Sequence, residues 1–329
     1  MFGIGDKKIS TESYKGVRDF YPEDQAVQNY IFGIMRKVAE SWGYVEYEAS
    51  VLEPLALYKA KSSSDEIVNE QIYSFTDRGG RDVALRPEMT PTVARMIAGK
   101  IQELPLPIRW YSIPNLFRYE KPQRGRLREH WQLNLDIFGV SDFWAEIEVI
   151  SLASDVMKKF GASEKDFQIK INSRTLLDEI LKKAKIEEDK RLFTYRLLDK
   201  KDKMSDNDFR HSLTALVGEE SAKELLETLY FGEGLLTSMT QSEEAKRLNH
   251  TIDTLRNRGV SNLVFDPTIT RGFDYYTGIV FEVYDTNKEN PRAIFGGGRY
   301  DNLVGAFTGQ KVPAFGFGMG DVTTRDFLE

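Results

Sequence analysis

The chain of 329 residues predicts an α+β fold, an antiparallel sheet flanked by helices, with a helical insertion. Three observations point there. Residues 130–138 alternate polar and apolar side chains, with Gln132, Asn134 and Asp136 on one face and Leu133, Leu135 and Ile137 on the other, the period of a half-buried strand. Strand-like segments are joined by short turns of Gly and Pro, such as Gly79-Gly80, which favours hairpins. The regular β–α alternation of a doubly wound parallel sheet is absent, while residues 174–257 are helical in pattern and highly charged.

Composition bounds the rest. The length suggests about two domains, or one large domain with an insertion. An apolar fraction of 41% and a charged fraction of 29% are ordinary for a globular protein. No apolar run is long enough to span a membrane and the N-terminus has no signal-peptide pattern, so the expected location is the cytoplasm. Zero cysteines exclude disulfides, thiolate zinc and a cysteine nucleophile, and with only His130, His211 and His250 no metal site is expected. The net charge of −6 does not advertise nucleic-acid binding overall, but Arg109, Arg118, Lys121, Arg124, Arg126 and Arg128 form a local basic run against Glu120 and Glu129. Such a patch on an acidic body can steer a polyanion to one place.

Taken in order, residues 1–13 read as a loosely held polar tail. Pro22 opens a helix with Glu23 and Asp24 in its first turn, Val27, Ile31, Ile34, Met35 and Val38 at helical spacing, and Gly43 at its end. Residues 44–53 read as a strand and 58–69 as a polar surface segment. Residues 71–86 form a hairpin that delivers Arg86-Pro87-Glu88-Met89-Thr90-Pro91. Pro91 marks a helix start with Thr90 as its N-cap, so Glu88 and Thr90 fall where a strand turns into a helix, a common place for ligand contacts.

Residues 117–139 are the centre of the reading. A strand ends at Glu120, a loop turns on Pro122 and Gly125, and the alternating strand follows. Arg118 sits at the base of this hairpin and further arginines lie toward its tip, where anions would collect; Gln132 and Asp136 on one wall suit a small cationic or amide-bearing group. Arginines at a hairpin tip are ordinarily only solvated, so the weight comes from the other stretches. Residues 142–160 form a helix capped by Ser141, and 167–171 a strand. Strands resume at 262–265 and 279–284, the second following Arg271-Gly272-Phe273-Asp274-Tyr275-Tyr276-Thr277-Gly278. The glycines Gly296–Gly298 would let backbone lie against a ligand, but no G-K-[ST] follows, so they are not a phosphate loop. Residues 313–319 read as a strand and 320–327 as a helix, after which the sequence stops, as though a further domain followed.

Together, L-R-P-E-M-T (85–90), F-R-Y-E-K-P-Q-R-G-R-L-R-E (117–129), R-G-F-D-Y-Y-T-G (271–278), G-G-G-R-Y-D (296–301) and A-F-G-F-G-M-G (314–320) resemble histidyl-tRNA synthetases in order and rough spacing. The resemblance runs from about Tyr14 to the last residue and is thinnest across the helical insertion. F-R-x-E is shared by class II aminoacyl-tRNA synthetases generally; the R-G-x-D-Y-Y-T-G and G-G-R-Y-D segments belong to the histidine branch. It implies a class II synthetase-like fold with a six-stranded antiparallel sheet, a homodimer, and a division into a first catalytic part (1–173, motifs 1 and 2), a helical insertion (174–257) and a second catalytic part (258–329, histidine-specific motifs and motif 3).

The resemblance also implies a reaction. Histidine and ATP, the latter with Mg2+ and no prosthetic group, give histidyl-adenylate, and the histidyl group then passes to the acceptor end of tRNA(His). Arg118 and Arg271 match the catalytic arginines beside the α-phosphate and the reacting carboxylate; Glu120, Arg126 and Arg325 complete the ATP set. Glu88 and Gln132, with Met89 and Thr90 beside them, match the α-ammonium site. Asp136 and Tyr276 match the pair that grips the imidazole, with Tyr275 on the same wall. Gln123 and Arg128 match positions that reach the tRNA acceptor end. The sequence departs from the family pattern at Ser50, where the dimer motif has Pro, and after Gly320, where G-x-E-R is replaced by Asp321-Val322-Thr323-Thr324-Arg325, leaving Arg325 two residues late for adenine. The family's C-terminal anticodon-binding domain has no counterpart in this sequence. Lys203-Met204-Ser205 imitates the K-M-S-K loop of Rossmann-type synthetases, but Asp206 follows and H-I-G-H is missing. The alternative is a regulatory subunit of ATP phosphoribosyltransferase with the same fold; such subunits have usually lost parts of the arginine set and of R-G-x-D-Y-Y-T-G, both kept here.

Overall fold

A computed structural model describes residues 9–60, 70–201, 204–270, 275–287, 289–290 and 292–329. The first helix, α1 (Pro22–Ser41), starts on Pro22 and buries Ile31, Met35 and Val38 as its spacing predicts. Gln28 rather than Val27 takes the inward position, because its amide bonds Asp321 at 2.8 Å. The following segment is not one strand but two, β1 (Val45–Glu46) and β2 (Leu52–Pro54), in different sheets. Helix α2 (Leu55–Lys59) buries Tyr58, and residues 61–69 of the expected surface segment fall outside the described residues. Strands β3 (Ser74–Thr76) and β4 (Asp82–Leu85) form the expected hairpin, turning on Gly80 at φ +76°. With β2 they make a three-stranded sheet.

Helix α3 (Thr90–Lys100) begins one residue early, with Met89 and not Thr90 at its N-cap position. Then come β5 (Ile108–Ser112), β6 (Asn115–Phe117), β7 (Glu129–Phe138) and α4 (Trp144–Lys159). The oxygen that meets the first turn of α4 is Asp142 Oδ1, on the Trp144 amide at 3.1 Å, not Ser141. Strand β8 (Phe167–Ser173) leads into α5 (Arg174–Lys183), α6 (Glu188–Leu198), α7 (Asp206–Val217), α8 (Glu219–Leu229), α9 (Gly234–Ser238) and α10 (Glu243–Asn257). Ser173, Ser205 and Ser242 cap α5, α7 and α10 through their hydroxyls. The chain closes with β9 (Leu263–Phe265), β10 (Ile279–Asp285), β11 (Ala293–Arg299), α11 (Gly305–Thr308), β12 (Ala314–Gly320) and α12 (Asp321–Leu328). The glycines Gly296–Gly298 lie inside β11, not in a loop.

Among the described residues the main sheet has nine strands. Its centre, β5-β7-β12-β11-β10-β8, is antiparallel throughout. These six strands match the sheet that the resemblance implied; β1 and β9 add parallel edges and β6 pairs with β7. One face carries Leu133, Leu135 and Ile137 into a core shared with α1, α4 and the helices of 174–257, among them Leu176, Phe209, Leu225 and Leu248. At ~25 cal/mol per Å2 of apolar surface, such burial is the main force holding helices to sheet. The other face holds a smaller core beneath α3, with Val93, Ala94 and Ile97 against Tyr276, Val280 and Tyr300.

Candidate active site

The α3 side of the sheet carries two adjoining cavities of about 510 and 840 Å3, both open to solvent. Strand β7 supplies the wall of the first through Gln132, Asn134 and Asp136, the face that the alternation assigned to polar groups. Glu88 and Thr90 enter from the start of α3, and Tyr275, Tyr276 and Tyr300 from the far side. The space exists because β12 places glycine opposite each large polar group. A Cβ on Gly316 would stand 2.0 Å from Asp136 Oδ1, and one on Gly318 would stand 2.7 Å from Gln132 Oε1.

Asp136 closes the inner end. The Tyr300 hydroxyl donates to its Oδ1, while its Oδ2 is buried with no partner among the described residues. An unmatched buried acceptor is costly, which makes it a strong site for an incoming N–H. Burial pushes the Asp136 carboxyl up to about 7, against the opposing pull of the Tyr300 hydroxyl. The Tyr275 hydroxyl donates to Glu88 Oε2 at 3.2 Å, linking the tyrosine wall to the start of α3.

The second cavity runs beneath the arginine hairpin. Arg118, Glu120, Arg126 and His130 face it from one side, Ala293 to Gly296 and then Val322 and Thr323 from the other. Arg118 lines both cavities, its Nε donating to the Pro87 carbonyl at 2.8 Å. Arg126 lies 3.6 Å from Glu120 in an ion pair, with its side chain about half exposed. His130 is held neutral: burial first, then Arg118 and Arg18, lower its pKa to about 3.

Several expected site residues stand elsewhere. Met89 is fully buried beside Arg86 and lines neither cavity. Arg325 also lines neither; it pairs with Asp24 at 3.4 Å and Glu329 at 2.9 Å. The cause is helical pitch: two residues beyond Thr323 is about 200° around α12, away from the cavity. Gln123 is exposed at the hairpin turn. Arg128 stacks on Tyr119 at 4.1 Å and Tyr14 at 5.5 Å and donates to the Tyr14 hydroxyl. Neither Gln123 nor Arg128 reaches the cavities. Arg271, and the Lys203 of the K-M-S imitation, lie outside the described residues.

Sequence reasoning missed several residues that the fold brings to the cavities, among them Asn134, Tyr300 and His130. Asn134 carried a signal, since it shares the polar face of β7. Tyr300 sits in the G-G-G-R-Y-D segment, but only the pairing of β11, β12 and β7 aims it at Asp136. His130 alternates in phase with Gln132, and that phase is the signal that puts it on the wall of the second cavity.

Comparison with known proteins agrees with this picture. The family model for histidyl-tRNA synthetase matches residues 16–321. The histidine–tRNA ligase of Leptospira biflexa is 46% identical over 330 residues, covering 98% of this chain and 75% of its own length. That of Thermoplasma volcanium is 43% identical, with the same coverage. Among solved structures, an ATP phosphoribosyltransferase regulatory subunit/histidyl-tRNA synthetase from Bacillus halodurans superposes with a TM-score of 0.83 at 26% identity, covering 98% of this chain and 84% of that one. A histidyl-tRNA synthetase from Nostoc gives 0.83 at 23% identity, covering 98% and 76%, a likeness of fold.

Proposed function

The chain belongs to the histidyl-tRNA synthetase family, and from that premise we propose how its residues activate histidine with ATP and pass the histidyl group to tRNA(His). The observation that carries the reading is the position of Arg118 at the junction of the two cavities. Histidine occupies the inner cavity, Mg2+-bound ATP the outer, and the reacting carboxylate and α-phosphate meet beside Arg118.

In the inner cavity the histidine ammonium lies between Glu88 and Gln132, with Thr90 beside it. The imidazole reaches Asp136, Tyr276 and Tyr300. Asp136 Oδ2 accepts one ring N–H, and a tyrosine hydroxyl serves the other nitrogen. A side chain of similar size lacking both ring nitrogens would leave these buried groups unpaired, which supplies the selectivity. Tyr275 fixes Glu88 through its hydroxyl. In the outer cavity Arg126 meets the outer phosphates and Arg118 the α-phosphate, while Glu120 is the carboxylate available to the magnesium that ATP brings.

A histidine carboxylate oxygen attacks the α-phosphorus; the new O–P bond forms as the bond to pyrophosphate breaks. Two anions must approach, so the fixed positive charge of Arg118, joined by Arg271, stabilises the transition state more than the separated substrates. A terminal ribose hydroxyl of tRNA(His) then attacks the adenylate carbonyl and AMP leaves; Gln123 and Arg128 belong to the hairpin that meets the acceptor end. The reading includes a homodimer, which light scattering would test. It places the reaction in the cytoplasm, consistent with the finding that no described helix is long and apolar enough to cross a membrane.

The regulatory-subunit reading is less supported, since the histidine–tRNA ligase relatives at 46% and 43% identity far exceed the 26% of the Bacillus halodurans regulatory subunit/histidyl-tRNA synthetase. Histidine-dependent exchange of pyrophosphate into ATP decides between them. The synthetase exchanges; a protein that binds histidine without exchange is a regulatory subunit.

A further inference from the structure

The arginine hairpin is anchored at both ends. At the stem, the Arg128 amide donates to the Gly16 carbonyl at 2.7 Å and the Arg128 guanidinium stacks on Tyr119. At the tip, Arg292 Nη1 donates to the carbonyl of Arg124 at 2.9 Å, from the far side of the second cavity. Arg292 immediately precedes Ala293, the first residue of β11 and part of that cavity's wall. The tip turns on Gly125 at φ +74°, a left-handed conformation suited to glycine. A Cβ there would stand 3.6 Å from Asp326 Oδ2, 3.7 Å from Thr323 Cγ2 and 3.8 Å from Arg292 Nη1, so the tip lies against α12 and Arg292 together. Thr323 in turn donates to the Ile294 carbonyl at 2.6 Å, tying α12 to β11. Hairpin, α12 and β11 thus form a closed ring around the cavity, and the Arg292–Arg124 bond is its exposed link.

We propose that Arg292 is a positioning residue for the nucleotide: it latches the hairpin tip across the outer cavity and so fixes Arg126 over the phosphates. The latch holds a backbone carbonyl, so it acts on the loop as a body rather than on any one side chain. A loop carrying Lys121, Arg124 and Arg126 against the single carboxylate of Glu120 is net positive when no anion is present, and one neutral acceptor held in place keeps it from swinging out. Arg292 therefore preorganises the cavity before ATP arrives, lowering the ordering cost charged to binding.

The inference rests on the outer cavity being the nucleotide site, and the experiment separates the two. Wild type, Arg292→Ala and Arg292→Lys are compared in histidine-dependent pyrophosphate exchange, with KM determined for ATP and for histidine. Amide hydrogen exchange is followed at Gln123 and Arg126, whose amides close the turn at 3.0 and 2.9 Å. Arg292→Ala is expected to raise KM for ATP about three- to tenfold and to leave KM for histidine unmoved. It is also expected to speed exchange at the two turn amides severalfold without ligand, and Arg292→Lys is expected to restore both. A rise in ATP KM with unchanged amide exchange would mean that Arg292 touches the nucleotide directly, and overturns the latch. Equal rises in both KM values with a lowered melting temperature would mean general loosening, and also overturns it, as does an unchanged ATP KM. Absence of exchange in the wild type would instead sink the functional reading itself.

Discussion

The Tyr300 hydroxyl donates a hydrogen bond to Oδ1 of Asp136 across 164 residues of sequence, leaving Oδ2, at the closed end of the inner cavity, with no partner among the described residues. Tyr300→Phe removes that donor from a buried carboxylate. Its loss is expected to raise KM for histidine about tenfold, equivalent to ~1.4 kcal/mol, with KM for ATP unmoved. Steady-state exchange kinetics at varied histidine and varied ATP check it.

Asp136 and His130 pull stability in opposite directions with pH. The Asp136 carboxyl rises from 3.8 to about 7 on folding, so its contribution is complete below pH 3.8 and is lost as pH climbs to about 7. The His130 imidazole falls from 6.5 to about 3, so its contribution is present above pH 6.5 and is lost as pH drops toward 3. Between about pH 4 and 6.5 the two slopes cancel, each being up to ~1.4 kcal/mol per pH unit. Relative to the parent, Asp136→Asn is expected to gain stability with rising pH across that window and His130→Gln to lose it. Urea midpoints at several pH values would show parallel curves if neither group is shifted.

Gly316 admits no side chain, since a methyl would stand 2.0 Å from Asp136 Oδ1 and 2.6 Å from the Leu135 carbonyl. Gly316→Ala is expected to cost about 3 kcal/mol of stability and to abolish histidine binding, because Asp136 must leave its place. Calorimetric titration with histidine, alongside thermal unfolding, tests both halves.

The proposed charge contact on the α-phosphate is separable from the fold. Arg118 is anchored by a hydrogen bond from its Nε to the Pro87 carbonyl. Arg118→Ala is expected to slow adenylation about a hundredfold, with little change in melting temperature and with histidine still bound. Arg271→Ala is expected to behave likewise. Single-turnover adenylate formation that proceeds at the parental rate would remove either arginine from the mechanism.

Asp321 holds three parts of the chain together. It accepts from Arg18 at 2.6 Å, from Gln28 at 2.8 Å and from the Trp131 amide at 2.9 Å, the last beside His130 in β7. Asp321→Ala leaves a guanidinium and two N–H groups without their acceptor and is expected to destabilise by about 3 kcal/mol. Asp321→Asn keeps an acceptor and is expected to cost roughly half that. Guanidinium unfolding of the two variants orders them.

What could be read beforehand was local. The alternation in β7 put Gln132, Asn134 and Asp136 on one face, and that face lines the cavity. Pro22 and Gly43 bounded α1, and Gly80 turned the β3–β4 hairpin. Where residues 44–53 were read as one strand, the local pattern was sound but silent about partners: β1 pairs with β5 and β2 with β4. Arg325 shows the same limit of local pattern. Its type fitted, but the rotation of α12 against the sheet turned Val322 and Thr323, and not Arg325, to the cavity.

The sequence by itself determined α1, the β3–β4 hairpin, the polar face of β7 and the family resemblance, because periodicity, turn residues and motif spacing act over a few residues. Only the tertiary structure decided that Tyr300 meets Asp136, that Asp321 gathers Arg18, Gln28 and Trp131, and that Arg292 reaches Arg124. Those pairings join residues far apart in the chain, and they are fixed by strand register and helix rotation, which no local pattern encodes.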